Sequence, residues 1–403
     1  MPSALRSRPV AAPPSAARVA LVVAMAHGLN DAYAAFVPPL LPRIMDRMGL
    51  TIALAATLAM TFSIAASVLQ PLLGYMADRY GRRIFVVVGP LVCGVFVSSM
   101  GLAPSFGVLL VLLTLGGLGS AAFHPPGASY AVRLSEGKGS GMRMSVFSFG
   151  GTAGFAIGPL LAVFLVQWRG LEGLWVAMLP VIVLTPVLYL ALPSGRAEVR
   201  REARPPPPPA AVIRALAGPL GLVFGISALM AFSQRVYVTL EPIIVAQGGG
   251  SETLGAVALT FYLGAQAVGT LAGGWLADRM DRRVLLGGLC GLAVPAHLLA
   301  VGLVPGSAPA LAAAAAAGFL AMATLPPVVV VAQELLPRGA AVGSGIVMGL
   351  AWSTGSVGVL GVGVLADAVG PRAAALATLP VALVAVYLAS RPALAVAARA
   401  RHA

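Results

Sequence analysis

Residues Gly74–Arg83 read GYMADRYGRR and hold four charged side chains in ten positions. A matching stretch, GWLADRMDRR, occupies Gly274–Arg283, so the two decapeptides start 200 residues apart and agree at six of ten positions. Only 10% of the 403 residues are charged, so this repeat stands out from an otherwise apolar chain. Self-similarity at a fixed offset indicates that the chain consists of two related halves.

The composition indicates what surrounds the two decapeptides. Hydrophobic residues make up 59% of the chain, which is more than the core of a soluble protein of this length needs. Apolar runs recur that are long enough to cross the roughly 30 Å hydrocarbon core of a bilayer. The sequence predicts twelve membrane-spanning helices, called spans 1 to 12, at about 18–42, 52–76, 84–103, 105–132, 142–166, 171–193, 213–240, 252–277, 284–304, 308–335, 341–366 and 372–390.

The net charge of +13 follows from where the basic residues lie. With the N-terminus inside, the predicted cytoplasmic segments hold 21 of the 26 Lys and Arg residues, the outer loops hold four, and Arg235 lies within span 7. This positive-inside distribution predicts that both termini are cytoplasmic. The basic balance thus reflects membrane orientation and contact with lipid, and we expect no nucleic-acid partner.

Further matches between the halves keep offsets of 200 to 204 residues: Asp31 with Arg235, Tyr33 with Tyr237, Pro125 with Pro326, and Gly154 with Gly355. A charged, proline-rich segment separates the halves and reads as a semi-stiff linker. The predicted organisation is a disordered cytoplasmic N-terminus at 1–17, a six-helix bundle at 18–193, a cytoplasmic linker at 194–212, a second six-helix bundle at 213–390 and a cytoplasmic tail at 391–403. Parallel repeats of this kind are typical of alternating-access transporters.

The first decapeptide resembles the signature G-x-x-x-D-R-x-G-R-R, which the major facilitator superfamily carries between helices 2 and 3. The second resembles the weaker copy between helices 8 and 9. Three further segments, HGLNDAYAAFVPPLLP, FHPPG and SVFSFGGTAGFAIGPLLA, are similar to the fosmidomycin-resistance type of efflux protein. The resemblance covers essentially the whole chain. It implies an all-α membrane protein with twelve transmembrane helices in two pseudo-symmetric six-helix bundles, and helices 1, 4, 7 and 10 lining a central cavity.

In the superfamily, the acid of this signature holds the cytoplasmic ends of the two halves together when the carrier is open outward. Carried over, Asp78 would contact the start of span 11 near residues 341–343. Gly74 would let the loop pack against a neighbouring helix, and the basic residues would steady it or serve only as positive-inside anchors. The predicted latch residues are Gly74, Asp78, Arg79, Arg82, Arg83, Arg133, Asp278 and Arg279.

Ionisable residues deep in a span usually mark a transport pathway. Asp31 lies in the middle of span 1, and His27 precedes it by four residues on the same helical face. We predict that Asp31 is protonated and deprotonated during transport, and that Arg235 attracts an anionic group or acts as its countercharge. The alternative is a permanent Asp31–Arg235 bridge. The predicted cavity residues are His27, Asn30, Asp31, Tyr33, His124, Gln234, Arg235 and Tyr237.

The segment Gly154–Ala162 resembles the helix 5 motif of antiporters, and Gly154, Gly158 and Pro159 are predicted to pack closely on another helix. The resemblance thus favours a proton-coupled antiporter that exports a small polar or amphipathic compound. It draws on the proton gradient with no cofactor, and it lies as a monomer in a bacterial cytoplasmic membrane. Two departures from related patterns, the apolar Leu113 and Pro126, place the coupling on Asp31 and His124.

Other functions stay open to different degrees. A proton symporter or facilitator that imports a small organic anion or metabolite is the closest alternative. A polytopic membrane enzyme would need an oxyanion site and an orienting group beside Ser120 and His124, and the sequence supplies neither, so we expect no enzyme. The chain has no phosphate-binding loop for ATP hydrolysis. Cys93 and Cys290 both lie in apolar spans, so no metal site is expected.

Overall fold

The computed structural model describes residues 16–133, 140–192, 209–336 and 340–394. The predicted N-terminal segment, linker and tail lie largely outside these ranges. Within them the chain is helical, and the prediction of an all-α membrane protein is confirmed. Eleven helices are long and apolar enough to cross a membrane, and a bent pair of helices makes a twelfth span.

The spans begin and end close to the predicted positions. They are Ala17–Met48, Ile52–Val68 with Gln70–Tyr80, Arg82–Leu102, Phe106–Ala131, Arg143–Arg169, Glu172–Ala191, Pro219–Gln247, Glu252–Ala277, Arg282–Gly302, Ala308–Leu335, Val342–Val369 and Pro371–Ser390. A short helix, Pro209–Leu216, precedes span 7.

Among the described residues four spans are interrupted, and each break has a proline in the first turn of the second helix. Span 1 consists of Ala16–Ala34 and Val37–Met48, and span 10 of Ala308–Ala323 and Leu325–Leu335. Span 2 bends by 42° between Val68 and Gln70. Span 12 consists of Pro371–Ala377 and Leu379–Ser390. Because proline lacks the N–H of a continuous helix and is suited to the first turn, it ends one helix and begins the next.

Span 11 contains a π-helical turn, Ile346–Leu350, between Ala340–Gly345 and Ala351–Val369. The hydroxyl of Ser227 on span 7 donates a hydrogen bond of 2.6 Å to the carbonyl of Val347 in this turn. Turns of this type leave carbonyl groups without their usual partner and occur frequently at functional sites.

The same neighbour relationships recur in the two halves. Span 1 packs on span 5 as span 7 packs on span 11, and span 3 packs on span 4 as span 9 packs on span 10. Contact between the halves runs through spans 2 and 11 and through spans 5 and 8. The face of the molecule that holds both decapeptides is called the decapeptide face, and the opposite face the far face.

The halves are joined through the far face. Among the described residues, the hydrogen bonds that cross between the halves are those of Arg43 with Glu252 (2.6 and 3.0 Å), Gln167 with Thr253 (2.9 Å), Asp367 with the N–H groups of Ile52 and Ala53 (2.7 and 3.1 Å), and Ser63 with Ser356 (2.8 Å). Towards the decapeptide face, the bent segment Gln70–Tyr80 packs on spans 3 and 4 of its own half.

Candidate functional site

Three ionisable side chains from spans 1 and 4 meet in the first half. Nε2 of His27 lies 3.2 Å from Oδ2 of Asp31, and Nε2 of His124 lies 3.1 Å from Oδ1 of the same carboxylate. The two imidazole rings are 5.1 Å apart in an edge-on arrangement. His27 and Asp31 come together because they are four residues apart on one helix, whereas His124 requires the packing of span 4.

The outer nitrogen of each imidazole is held by the backbone. Nδ1 of His27 lies 2.8 Å from the carbonyl of Phe147, and Nδ1 of His124 lies 2.8 Å from the carbonyl of Ser120. A carbonyl only accepts, so each Nδ1 carries the proton, and the hydrogen-bond network assigns the tautomer. In both neutral rings, Nε2 is then a bare acceptor facing a carboxylate oxygen. The cluster is favourable only when a proton lies in each contact.

Neighbouring residues fix this cluster. The Asn30 side-chain amide donates to Asp31 Oδ1 and to Ser120 Oγ, each at 3.0 Å. The His27 ring stacks on Phe147 with ring centroids 4.0 Å apart. A Cβ added at Gly151 would lie 2.4 Å from the His27 ring, so span 5 provides space for the imidazole only because this position is glycine.

The same three side chains have the composition of a divalent-cation site. Their ligand atoms lie within 4.8 Å of one another, and no fourth His, Cys, Asp or Glu joins them among the described residues. Structural zinc sites usually have four protein ligands. His27, Asp31 and His124 are therefore the residues that could hold a cation. The two imidazole–carboxylate contacts could equally hold protons.

Arg235 lies apart from this cluster, at the interface between the halves. It lines a narrow cavity where spans 1, 2, 7 and 11 meet, and its guanidinium lies 5.7 Å from the centre of the Trp352 ring. Within the described ranges, no carboxylate forms an ion pair with it. The permanent Asp31–Arg235 bridge is absent from this structure because both Asp31 oxygens are occupied by spans 1 and 4. Gln234 lines an adjacent cavity.

Two tyrosines differ from the expectation that they face the cavity. Tyr33 is 1% exposed, and its hydroxyl donates to the carbonyl of Ala177 at 2.6 Å. Tyr237 is 2% exposed and stacks on Tyr262, with centroids 4.4 Å apart. Both point into their own bundles. The rotation of a helix about its axis decides which side chains face the cavity. A helix surrounded by apolar partners and lipid has no amphipathic pattern from which this rotation could be predicted.

The two decapeptides pack in equivalent ways. Cβ atoms added at Gly74 and Gly274 would lie 3.2 Å from Pro125 and 3.9 Å from Pro326, so each glycine faces the equivalent proline. Arg83 donates to the carbonyl of Tyr189 at the end of span 6, and Arg283 donates to that of Ser390 at the end of span 12. Each of these two arginines therefore connects its decapeptide to the last span of its own half, and is more than a charged anchor at the membrane surface.

The acids and the remaining arginines of the two decapeptides have different hydrogen-bond partners in the two halves. Asp78, which is 53% exposed, pairs with Arg82 at 2.5 Å and forms no hydrogen bond or ion pair with span 11 among the described residues. In the second half, Arg282 binds both oxygens of Glu334 at 2.5 and 2.8 Å. Asp281 replaces Gly81 and accepts from the N–H groups of residues 283 and 284, which caps span 9.

The other predicted latch residues are placed as follows. Arg279 donates to the carbonyl of Trp275 at 3.0 Å and stacks on its ring, and Arg79 lies 5.9 Å from the Tyr80 ring centre. Asp278 caps the end of span 8 at the exposed surface. The side chain of Arg133 and the loop that follows it lie outside the described residues.

Sequence reasoning missed the groups that close the far face. Asp367, near the end of span 11, accepts from the first two N–H groups of span 2, and Arg43 forms a two-pronged pair with Glu252. The sequence signal for this contact is weak: an acid lies shortly before Gly370 and Pro371, and Thr51 marks the start of span 2. Glu241 is also buried, at 3% exposure inside the second half, because span 7 continues to Gln247.

Known proteins resemble the chain over nearly its whole length. The family profile for the Major Facilitator Superfamily matches residues 21–238 and 223–402. The uncharacterized MFS-type transporter YfnC of Bacillus subtilis (strain 168) is 29% identical over 391 residues, which covers 90% of either chain. The fosmidomycin resistance protein of Escherichia coli (strain K12) is 27% identical over 352 residues, covering 86% of this chain and 85% of that one.

One solved structure shows the same architecture. It is the crystal structure of a bacterial homolog of the human lysosomal transporter Spinster, in an inward-facing and occupied conformation. It matches with a TM-score of 0.76 at 17% identity and covers 95% of this chain and 97% of that chain. At this level of identity the likeness establishes the fold alone.

Proposed function

The chain belongs to the major facilitator superfamily, and we propose that it is a proton-coupled antiporter that exports a small polar or amphipathic compound by alternating access. It is a multi-pass membrane protein. The proposal places it in a bacterial inner membrane with both termini and the decapeptide face in the cytoplasm. The name of the Escherichia coli relative, a fosmidomycin resistance protein, supports export as the direction.

Proton coupling is supported above all by the cluster of His27, Asp31 and His124. Each imidazole donates through Nδ1 to a carbonyl, so its Nε2 faces a carboxylate oxygen at 3.1 to 3.2 Å, and this contact is a hydrogen bond only when a proton lies in it. Protonation makes both contacts attractive, and loss of the protons makes them repulsive. Because the contact of His124 with Asp31 joins span 4 to span 1, the proton load biases one arrangement of the bundle over another.

Alternating access is supported by the uneven contact between the halves. Most interhalf hydrogen bonds of the described residues lie at the far face, whereas Gln70–Tyr80, bent by 42° from Ile52–Val68, packs on spans 3 and 4 of its own half. In the proposed orientation this arrangement opens to the cytoplasm, and the transport cycle exchanges the far-face contacts for a contact of Asp78 with the start of span 11.

Inverted vesicles with reconstituted protein test the function directly. With an acidic lumen, an exporter of this kind takes up an added compound while protons leave, and a pH-sensitive dye in the lumen reports their exit. Fosmidomycin is the first compound to try, because of the relative's name. Protons that move in the same direction as the compound would instead make the protein a symporter.

Replacing Asp367 with alanine is expected to open the far face more often. The carboxylate satisfies two N–H groups at the start of span 2, and such caps contribute about 1 kcal/mol, or roughly a fivefold change in an equilibrium. A cysteine at Ser356, beneath this contact, should react about fivefold faster with an impermeant maleimide added at the far face. The native Cys93 and Cys290 are buried. The matched control is Asp46→Ala, which removes an exposed acid on the same face. Equal labelling rates in the two variants would show that Asp367 does not stabilise the closed far face.

Replacing Asp78 with alanine is expected to slow transport by about fivefold, within the usual range of coupling energies. Among the described residues Asp78 pairs with Arg82 alone, so its removal would leave the present conformation intact and weaken the one in which the decapeptide face is closed. The same Ser356→Cys reporter should then react more slowly from the far face. Normal turnover with an unchanged labelling rate would show that the first decapeptide serves only as a membrane anchor.

A further inference from the structure

Arg235 is a part-buried cation within span 7, and the described residues supply no anion for it. Its Nε atom is inaccessible to solvent and has no hydrogen-bond partner. Its guanidinium lies 5.7 Å from the ring centre of Trp352 on span 11. A guanidinium stays charged at any physiological pH, and a charge within a span costs at least about 2.5–3.5 kcal/mol unless it is paired.

The cavity beside Arg235 contains no competing acid. Its walls come from spans 1, 2, 7 and 11, on both sides of the interface between the halves, and among the lining residues Arg235 is the only ionisable one. Its remaining polar groups are the hydroxyls of Thr239 and Ser356. Hydroxyls and a guanidinium are donors suited to an oxyanion.

A second cavity lies between spans 7, 10 and 11. Trp352 lines it, and the centre of the Trp352 ring lies 5.7 Å from the guanidinium of Arg235, which lines the first cavity. Met230, Leu325 and Val328 form apolar walls there, and Ser227, Gln234 and Thr324 add a few polar groups. Small-molecule sites typically combine apolar walls with a few polar groups that fix orientation.

We propose that the substrate is an amphipathic organic anion whose acid group binds Arg235 and whose apolar body lies against Trp352, Met230, Leu325 and Val328. This inference rests on the proposed transport function and adds the charge and shape of the substrate. The anion binds on the second half, separate from the His27–Asp31–His124 cluster on the first half, so substrate and protons occupy different groups.

Three probes that share a naphthylmethyl group and differ in charge test the proposal on the purified full-length protein. They are 1-naphthylacetate, the neutral 1-naphthylacetamide and the cationic 1-naphthylmethylamine, and their equilibrium binding is measured by calorimetry without a proton gradient. The acetate should bind at least about tenfold more tightly than the amide, as a charge-assisted contact implies. Arg235→Gln should bring the two to equal affinity, Arg235→Lys should retain part of the preference, and Trp352→Leu should weaken both probes alike.

The control is Arg169→Gln, because Arg169 also stacks on a tryptophan, at 4.3 Å from Trp168, but at an exposed position. It should keep the full preference for the acetate. Thermal unfolding and size-exclusion profiles confirm that each variant is folded. Equal binding of the three probes, no binding of any, or an unchanged preference in folded Arg235→Gln would overturn the proposal. Proton coupling is measured separately with Asp31→Asn, so either idea can fail while the other stands.

Discussion

Asp31→Asn is expected to reduce proton-driven transport by about a hundredfold, which is near the upper end of usual coupling energies. Asparagine keeps the shape and the contact with Asn30, yet it cannot be a carboxylate and does not exchange protons with His27 and His124. The halves would still exchange between conformations, because no interhalf contact is removed. The measurement is pH-driven uptake into inverted vesicles, beside counterflow without a gradient.

The matched control is Asp46→Asn, since Asp46 lies on the same span at an exposed position outside the cluster. It should pump at the rate of the unmodified protein. The two assays separate coupling from movement: Asp31→Asn should lose gradient-driven uptake and keep counterflow. Full pumping by Asp31→Asn would mean that another group carries the protons.

Gly154→Ala is expected to lower the free energy of unfolding by about 3 kcal/mol, the upper end for overpacked cores. A Cβ at this position would lie 1.8 Å from the carbonyl oxygen of Gly28, so spans 1 and 5 would have to separate. Gly158 makes a similar contact with the carbonyl of Ala32, at 2.5 Å. Because His27 binds span 5 through Phe147, separation should also reduce transport. Denaturant unfolding in detergent micelles measures the loss.

A helical glycine with open space around it is the control. Gly287 on span 9 has no atom within 4 Å of an added Cβ, so Gly287→Ala should be neutral or stabilising by about 0.5–1 kcal/mol. A stability of Gly154→Ala equal to that of Gly287→Ala would show that the close approach of spans 1 and 5 carries no energetic weight.

The sequence predicts those features of the fold that follow from the thickness of the bilayer and from the duplication of the chain. Span length follows from membrane thickness, and the fixed offset between the decapeptides predicted two related halves. The i, i+4 spacing of His27 and Asp31 likewise predicted their contact. These features depend on distances along one chain, and sequence records such distances directly.

The less predictable part depends on how the helices are rotated and which face is closed. His124 meets Asp31, and Tyr33 turns away from the cavity, because of how spans 4 and 6 pack on span 1. Arg235 does not pair with Asp31, although the two occupy equivalent positions. Asp367 gained its partner from a helix more than 300 residues away in the sequence. Apolar helices in lipid carry no amphipathic pattern that would fix these orientations.

The carboxylate of Asp367 on the start of span 2 has a consequence for the intermediate of the cycle. Spans 2 and 11 run in opposite directions, so each presents an acid near its last turn and bare N–H groups at its first. With Asp367 docked and Asp78 docked as well, both gates would be shut and the cargo occluded. In that intermediate each aspartate would hold one face closed, so replacing either acid should shorten its lifetime by opening one face only.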